Sequence, residues 1–114
     1  MLLRDVVTLL QGKVLTGTEL LDKQVETCFG SDMMSQVLAR TKPNTLLCTG
    51  LTNMQVIRTA DMTELSAIIY VGGKTPCQDI IEAAQADGLP LLATAINLQE
   101  ACGLLCQAGL LECK

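Results

Sequence analysis

The sequence predicts an α/β fold: a three-layer α/β/α sandwich around a mostly parallel sheet of about four to five strands. Three observations carry that prediction. Between residues 45 and 108, short apolar runs alternate with segments that open like capped helices, in the order β-α-β-α-β-α. The runs, Ile68-Ile69-Tyr70-Val71 among them, are apolar throughout rather than at every second residue, the mark of strands covered on both faces. A length of 114 residues suits one compact domain over 1–114.

The elements follow in order. Residues 2–11 place Leu2, Leu3, Val6, Val7, Leu9 and Leu10 at helical spacing, and Gly12 stops that helix. Lys13-Val14-Leu15 reads as a short strand ending at Thr16-Gly17. After a polar connection, residues 24–30 alternate in the manner of a second strand. Ser31 or Asp32 caps a helix over 33–40, which Pro43-Asn44 breaks. Residues 45–49 form the next strand and Gly50 turns the chain. Thr52 and Gln55 have capping-box spacing for a helix to about residue 63. Residues 66–71 are the following strand. Thr75 as cap, Pro76 at the first helical position and Gln78 as capping partner begin a helix that ends at Gly88. Residues 90–94 make the last strand. Asn97 and Glu100 form a capping box for a helix over 98–107, closed by Gly109.

Composition narrows the function. Hydrophobic residues are 49% of the chain but aromatics only 2%, so the core is aliphatic. A net charge of −4 and the shortage of aromatic rings argue against a nucleic-acid partner, which needs clustered cations or stacking platforms. Arg4 and Asp5 interrupt the first apolar stretch, so it does not read as a signal peptide, and no run is long enough to span a bilayer. A cytoplasmic protein with no membrane partner is expected. Without an export signal, the six cysteines are expected to be reduced and mostly buried.

In a parallel sheet, ligands collect at the carboxyl ends of the strands. The loops 49–53, 72–75 and 95–97 are expected there, each before a helix N-terminus that favours an anion. Thr49, Gly50, Gly72, Gly73, Lys74 and Thr75 are therefore the candidate ligand-binding residues, for a phosphate or nucleotide. The Gly-Gly pair offers extra N–H groups and Lys74 a cation. The competing reading is a tight strand-to-helix turn that needs positive φ. Neither the P-loop spacing nor the dinucleotide fingerprint is present.

A reaction centre is harder to find. The chain has no histidine, which removes Ser-His and Cys-His catalysis and the commonest metal ligand. The carboxylates fall on helix faces and loops without pairing. The expectation is a protein that is not an enzyme and takes no cofactor. One alternative stays open: an iron–sulfur or zinc site from Cys102, Cys106 and Cys113, although their spacing lacks the C-x-x-C pairs of zinc and ferredoxin sites. Cys77, near a helix N-terminus, is a candidate redox-sensitive thiol. Met33, Met34, Met54 and Met62 either fill gaps in the core or line an adaptable surface. The last helix is apolar on more than one side, so its outer face is a candidate dimer contact, with pairing of sheet edges as the rival.

A strand ending in Gly72-Gly73, a proline-led helix and a Gly88-Leu89-Pro90-Leu91-Leu92 strand together resemble the DRTGG domain family. The N-terminal block LLRDVVTLLQGKVLTG with ELLDKQVETCFGSDMMSQVLA, and the segment TLLCTGLTNMQVIRTA, extend the resemblance over nearly the whole chain. Of the Asp-Arg-Thr-Gly-Gly string itself, only Gly72 and Gly73 stand here. The family is similar to the N-terminal domain of HPr kinase/phosphorylase. It occurs as a regulatory or dimerising insert in phosphotransacetylases and in pyrophosphatases with CBS domains. Stand-alone copies are similar to small proteins found beside iron-hydrogenase genes in anaerobes. The resemblance implies a non-catalytic regulatory or scaffolding module, homodimeric, associated with an anaerobic redox system, and it supplies no catalytic residues.

Overall fold

The computed structural model describes residues 1–112. Among them the chain runs through α1 (Leu3–Leu9), β1 (Lys13–Thr16), a 3-10 turn at Thr18–Leu20, β2 (Thr27–Gly30), α2 (Met34–Arg40), β3 (Thr45–Thr49), α3 (Met54–Thr63), β4 (Ala67–Tyr70), α4 (Gln78–Ala86), β5 (Leu91–Ala93) and α5 (Leu98–Gln107). The strands lie side by side in the order β1-β5-β4-β3-β2. From β2 to β5 every pairing is parallel, and β1 alone runs antiparallel, on the outside of β5.

The apolar runs divide between two cores with a period of two, as pleating requires. Phe29, Leu47, Ile68, Tyr70 and Leu91 join Val37 of α2, Val56, Ile57 and Ala60 of α3, and Ile80 and Ala84 of α4. Cys28, Leu46, Cys48, Ala67, Ile69 and Leu92 join Leu3 and Val6 of α1 and Ala101 and Leu105 of α5. A strand with alternate residues in two separate cores has no solvent face, so it reads as an unbroken apolar run. Each fully buried leucine or isoleucine among them adds about 1.5–3 kcal/mol.

Handedness decides which helix lies on which face. The parallel strands are laid down in one direction, β2 to β5, and right-handed crossovers then put α2, α3 and α4 on the same side. Only after β5 does the chain cross to the other side, where α5 packs beside α1. The three-layer α/β/α architecture with a mostly parallel sheet is the one the sequence predicts.

Several helix starts are displaced from their predicted caps. Helix α2 is preceded by Met33 at the N-cap position, α3 by Asn53 and α4 by Cys77, none with a side-chain cap hydrogen bond. Asp32 is drawn away by the β3 loop, and the Ser31 hydroxyl accepts the N–H of Met33 outside the helix. Asn97 behaves as predicted: its Oδ1 accepts the Glu100 N–H at 2.9 Å. The second strand begins at Thr27, three residues later than its alternation suggests. Gln24 makes only an isolated bridge to Leu2.

Candidate functional site

The carboxyl ends of β2, β3, β4 and β5 form one edge of the molecule, and the predicted residues divide there into two groups. Over β3 stands the first. The Thr49 hydroxyl donates to Asp32 Oδ1 at 2.9 Å and accepts the Leu51 N–H at 3.1 Å. The Gly50 N–H donates to the same Asp32 oxygen at 2.7 Å. The aliphatic chain of Lys74 reaches across from the next loop, its Cδ 3.7 Å from where a Cβ on Gly50 would sit. Thr49, Gly50 and Lys74 are thus brought together around Asp32. That aspartate looks like a helix cap in the sequence; its proximity to Gly50 comes from the parallel pairing of β2 with β3.

The second group surrounds the Gly72-Gly73 turn. Both glycines have positive φ, 69° and 75°, and a Cβ on either would meet nothing within 4 Å. Backbone conformation therefore calls for glycine here, and space does not. The Gly72 N–H donates to the Ile96 carbonyl at 2.8 Å, and that of Gly73 to the Thr94 carbonyl at 3.0 Å. These two bonds stitch the loop after β4 to the loop after β5. Thr94 mirrors Thr49: its hydroxyl accepts the Ile96 N–H at 3.2 Å and donates to the Leu10 carbonyl at 2.6 Å.

Beside this turn lies a cavity of about 270 Å³, lined by Gln11, Lys13, Gly73, Thr75, Ala93, Thr94 and Ala95. Its position follows from topology. The loop after β4 leads to α4 on one face and the loop after β5 to α5 on the other, so the chain parts between them. Such a switch point is where open α/β sheets leave a crevice. Gln11 and Lys13 were not legible as site residues. They arrive because β1 is antiparallel and pairs Lys13 with Ala93, at the carboxyl end of β5. A further cavity of about 250 Å³, lined among others by Lys23, Asn44, Asp61, Glu64 and Asp87, lies at the opposite edge, away from the helix N-termini.

The cysteines fall mainly on the α5 side. Cys28 and Cys48 are buried, Cys102 is half-buried, and Cys77 and Cys106 are exposed. Among the described residues no group of three or more histidine, cysteine or acidic side chains is placed to hold a metal ion. Cys113, the third member of the predicted metal set, lies outside the described residues. No helix among them is long and apolar enough to cross a membrane.

No protein of curated function matches the chain. Among solved structures it is similar to the CBS and DRTGG domains of the regulatory region of Clostridium perfringens pyrophosphatase, complexed with the activator diadenosine tetraphosphate. The TM-score is 0.72 at 16% identity, over 93% of this chain and 46% of that one. The chain thus spans about half the length of that structure, and at this identity the likeness speaks for the fold. A DRTGG domain is matched by residues 5–108, with the glycine turn and both loop groups inside the match, and the chain belongs to the DRTGG domain family.

Proposed function

We propose that the chain is a non-catalytic regulatory module that answers to a phosphate-bearing or nucleotide effector held in the crevice between β4 and β5. The observation that carries this reading is the switch point itself, with Lys13 and Thr75 on the wall of its cavity. The Gly72 and Gly73 amides already donate to carbonyls across the crevice. An anion here would rely on the Lys13 ammonium and the Thr75 hydroxyl. Asp32 disfavours an anion over Gly50, which shifts the effector toward the β5 side. The activator of the pyrophosphatase regulatory region is a ligand of the proposed class.

Thermal unfolding with diadenosine tetraphosphate, ATP, AMP and inorganic phosphate tests this. At a concentration 100 times its dissociation constant, a true effector stabilises the fold by about 2.7 kcal/mol. Lys13→Ala is expected to reduce the shift. If no compound raises the midpoint, the effector reading is wrong and a module acting through partners alone remains.

The partner we propose is a second copy of the chain. Among the described residues, the exposed large apolar side chains are Met33, Leu38, Met62 and Leu111, and none of them lies on α5. The outer face of α5 is a weaker candidate than it looks in the sequence, because Leu98 and Leu104 pack against the core. Met33, Leu38 and Met62, at the N-cap and along α2 and on α3, favour the opposite face. Light scattering across a concentration series checks this: a monomer at every concentration would discard the homodimer. Association with an anaerobic redox system rests on the family resemblance, and copurification with redox proteins from the source cells would test it.

A further inference from the structure

We propose that Cys102 is a thiol-exchange site for low-molecular-weight disulfides, with Cys48 beneath it as the resolving thiol. Three features of the α5 side of the sheet point there. Gly30 of β2 is paired with Cys48 of β3 in parallel register, so a Cβ at Gly30 would stand about 4.8 Å from that of Cys48. The Cys102 sulfur lies only 2.5 Å from that Gly30 Cβ position. Glycine at 30 is thus the vacancy in which the Cys102 sulfur is seated, next to Cys48. The Cys48 and Cys102 thiols are near enough to move each other's protonation in opposite directions.

Access completes the picture. A cavity of about 370 Å³ opens onto Cys102, lined by Cys28, Gly30, Cys102, Gly103, Cys106 and Glu112. Gly103 has no side chain to obstruct it, and a Cβ there would meet nothing within 4 Å. Cys102 is half-buried on the cavity wall, whereas Cys48 is wholly buried, so an incoming disulfide meets Cys102 first. The two thiols are also divided electrostatically. The neighbouring Cys48 thiol draws Cys102 down to about 7, against the opposing effects of burial and Glu112. The Cys102 thiol, followed by burial, raises Cys48. The half-buried Cys102 sulfur is the nucleophile and the buried Cys48 stays protonated until it is needed.

The exchange balances in two steps. The Cys102 thiolate attacks one sulfur of a disulfide R′S–SR′; the S–S bond breaks, a mixed disulfide Cys102–S–SR′ forms, and R′S⁻ leaves. Cys48 then gives its proton to R′S⁻ and its sulfur attacks that of Cys102, expelling the second R′S⁻, which takes a proton from water. The two protein thiols lose two electrons to R′S–SR′, which leaves as two thiols.

The reduced full-length chain would be exposed to oxidised glutathione as probe, quenched at intervals with an alkylating agent, and mapped by peptide mass spectrometry. The expected sequence is a glutathionyl adduct on Cys102 first, then a cross-link between the peptides carrying Cys48 and Cys102, with loss of two hydrogens from the reduced chain. Cys48→Ala should stall at the adduct. Gly30→Ala, which displaces the Cys102 sulfur, should lose the cross-link. The wild-type time course needs no variant to fold. Modification of another cysteine ahead of Cys102, a persistent Cys102 adduct in wild-type protein, or a cross-link joining any other pair would overturn the proposal.

Discussion

At the scale of single residues, two side chains carry consequences that their types do not reveal. Asp32 serves as acceptor for both the Thr49 hydroxyl and the Gly50 amide, and so fastens the end of β2 to the loop after β3. Asp32→Ala leaves both donors to water and should cost about 1 kcal/mol by chemical denaturation. Asp32→Asn keeps an acceptor and should cost less; equal losses would mean that the carboxylate charge, not the hydrogen bonding, matters. Tyr70 is buried in the core beneath α3 and α4, and its hydroxyl finds no partner among the described residues. Burial pushes its pKa up to about 12. Below pH 10 the phenol is protonated in folded and unfolded chains alike. Between about 10 and 12 the unfolded chain ionises and the folded one does not, so stability falls as pH rises through that window. The slope reaches at most about 1.4 kcal/mol per pH unit. Tyr70→Phe removes both the unsatisfied hydroxyl and this alkaline loss, and should be neutral or stabilising by about 1 kcal/mol at pH 7. Unfolding curves at pH 7 and pH 11 for both chains check the sign; a variant that loses stability at pH 7 would mean the hydroxyl has a partner.

At the scale of elements, the same sequence signal held at one helix and failed at two others. Asn97 caps α5 through the Glu100 N–H, whereas Thr52 and Thr75 stand before the true N-cap positions Asn53 and Cys77. The reason is local. Each strand ends in a turn held by hydrogen bonds, those of Gly72 and Gly73 to the loop after β5 in one case and that of the Leu51 N–H to the Thr49 hydroxyl in the other, and these absorb residues that the capping pattern assigned to the helix. Asn97→Ala should therefore cost about 1 kcal/mol, while Thr52→Ala and Thr75→Ala should stay within about 0.5 kcal/mol. Denaturant midpoints decide it, and a Thr75 variant as damaging as the Asn97 one would show that the threonine does cap α4. The strands were legible because burial on both faces leaves apolar runs. Strand β2 was overextended because the segment before Thr27 alternates in sequence yet forms only one bridge.

At the scale of the whole molecule, stability should be graded across the sheet. Strands β3 and β4 are central and buried along their full length, while β1 is a partly exposed edge. Their amides should exchange with deuterium only through global opening, and those of β1 should exchange faster. Uniform protection across the sheet, measured by exchange and mass spectrometry, would contradict this gradient. By itself the sequence determined the α/β class, the order of elements and the loops that gather at the carboxyl edge, because apolar periodicity and turn chemistry are local properties of the chain. Only the tertiary structure decided that β1 runs antiparallel and carries Lys13 to the β5 end, that Asp32 reaches Gly50, and that Cys102 sits against Cys48 in the space left by Gly30. Those are meetings of residues far apart in the chain, set by strand register and crossover handedness, and no short stretch of sequence encodes them.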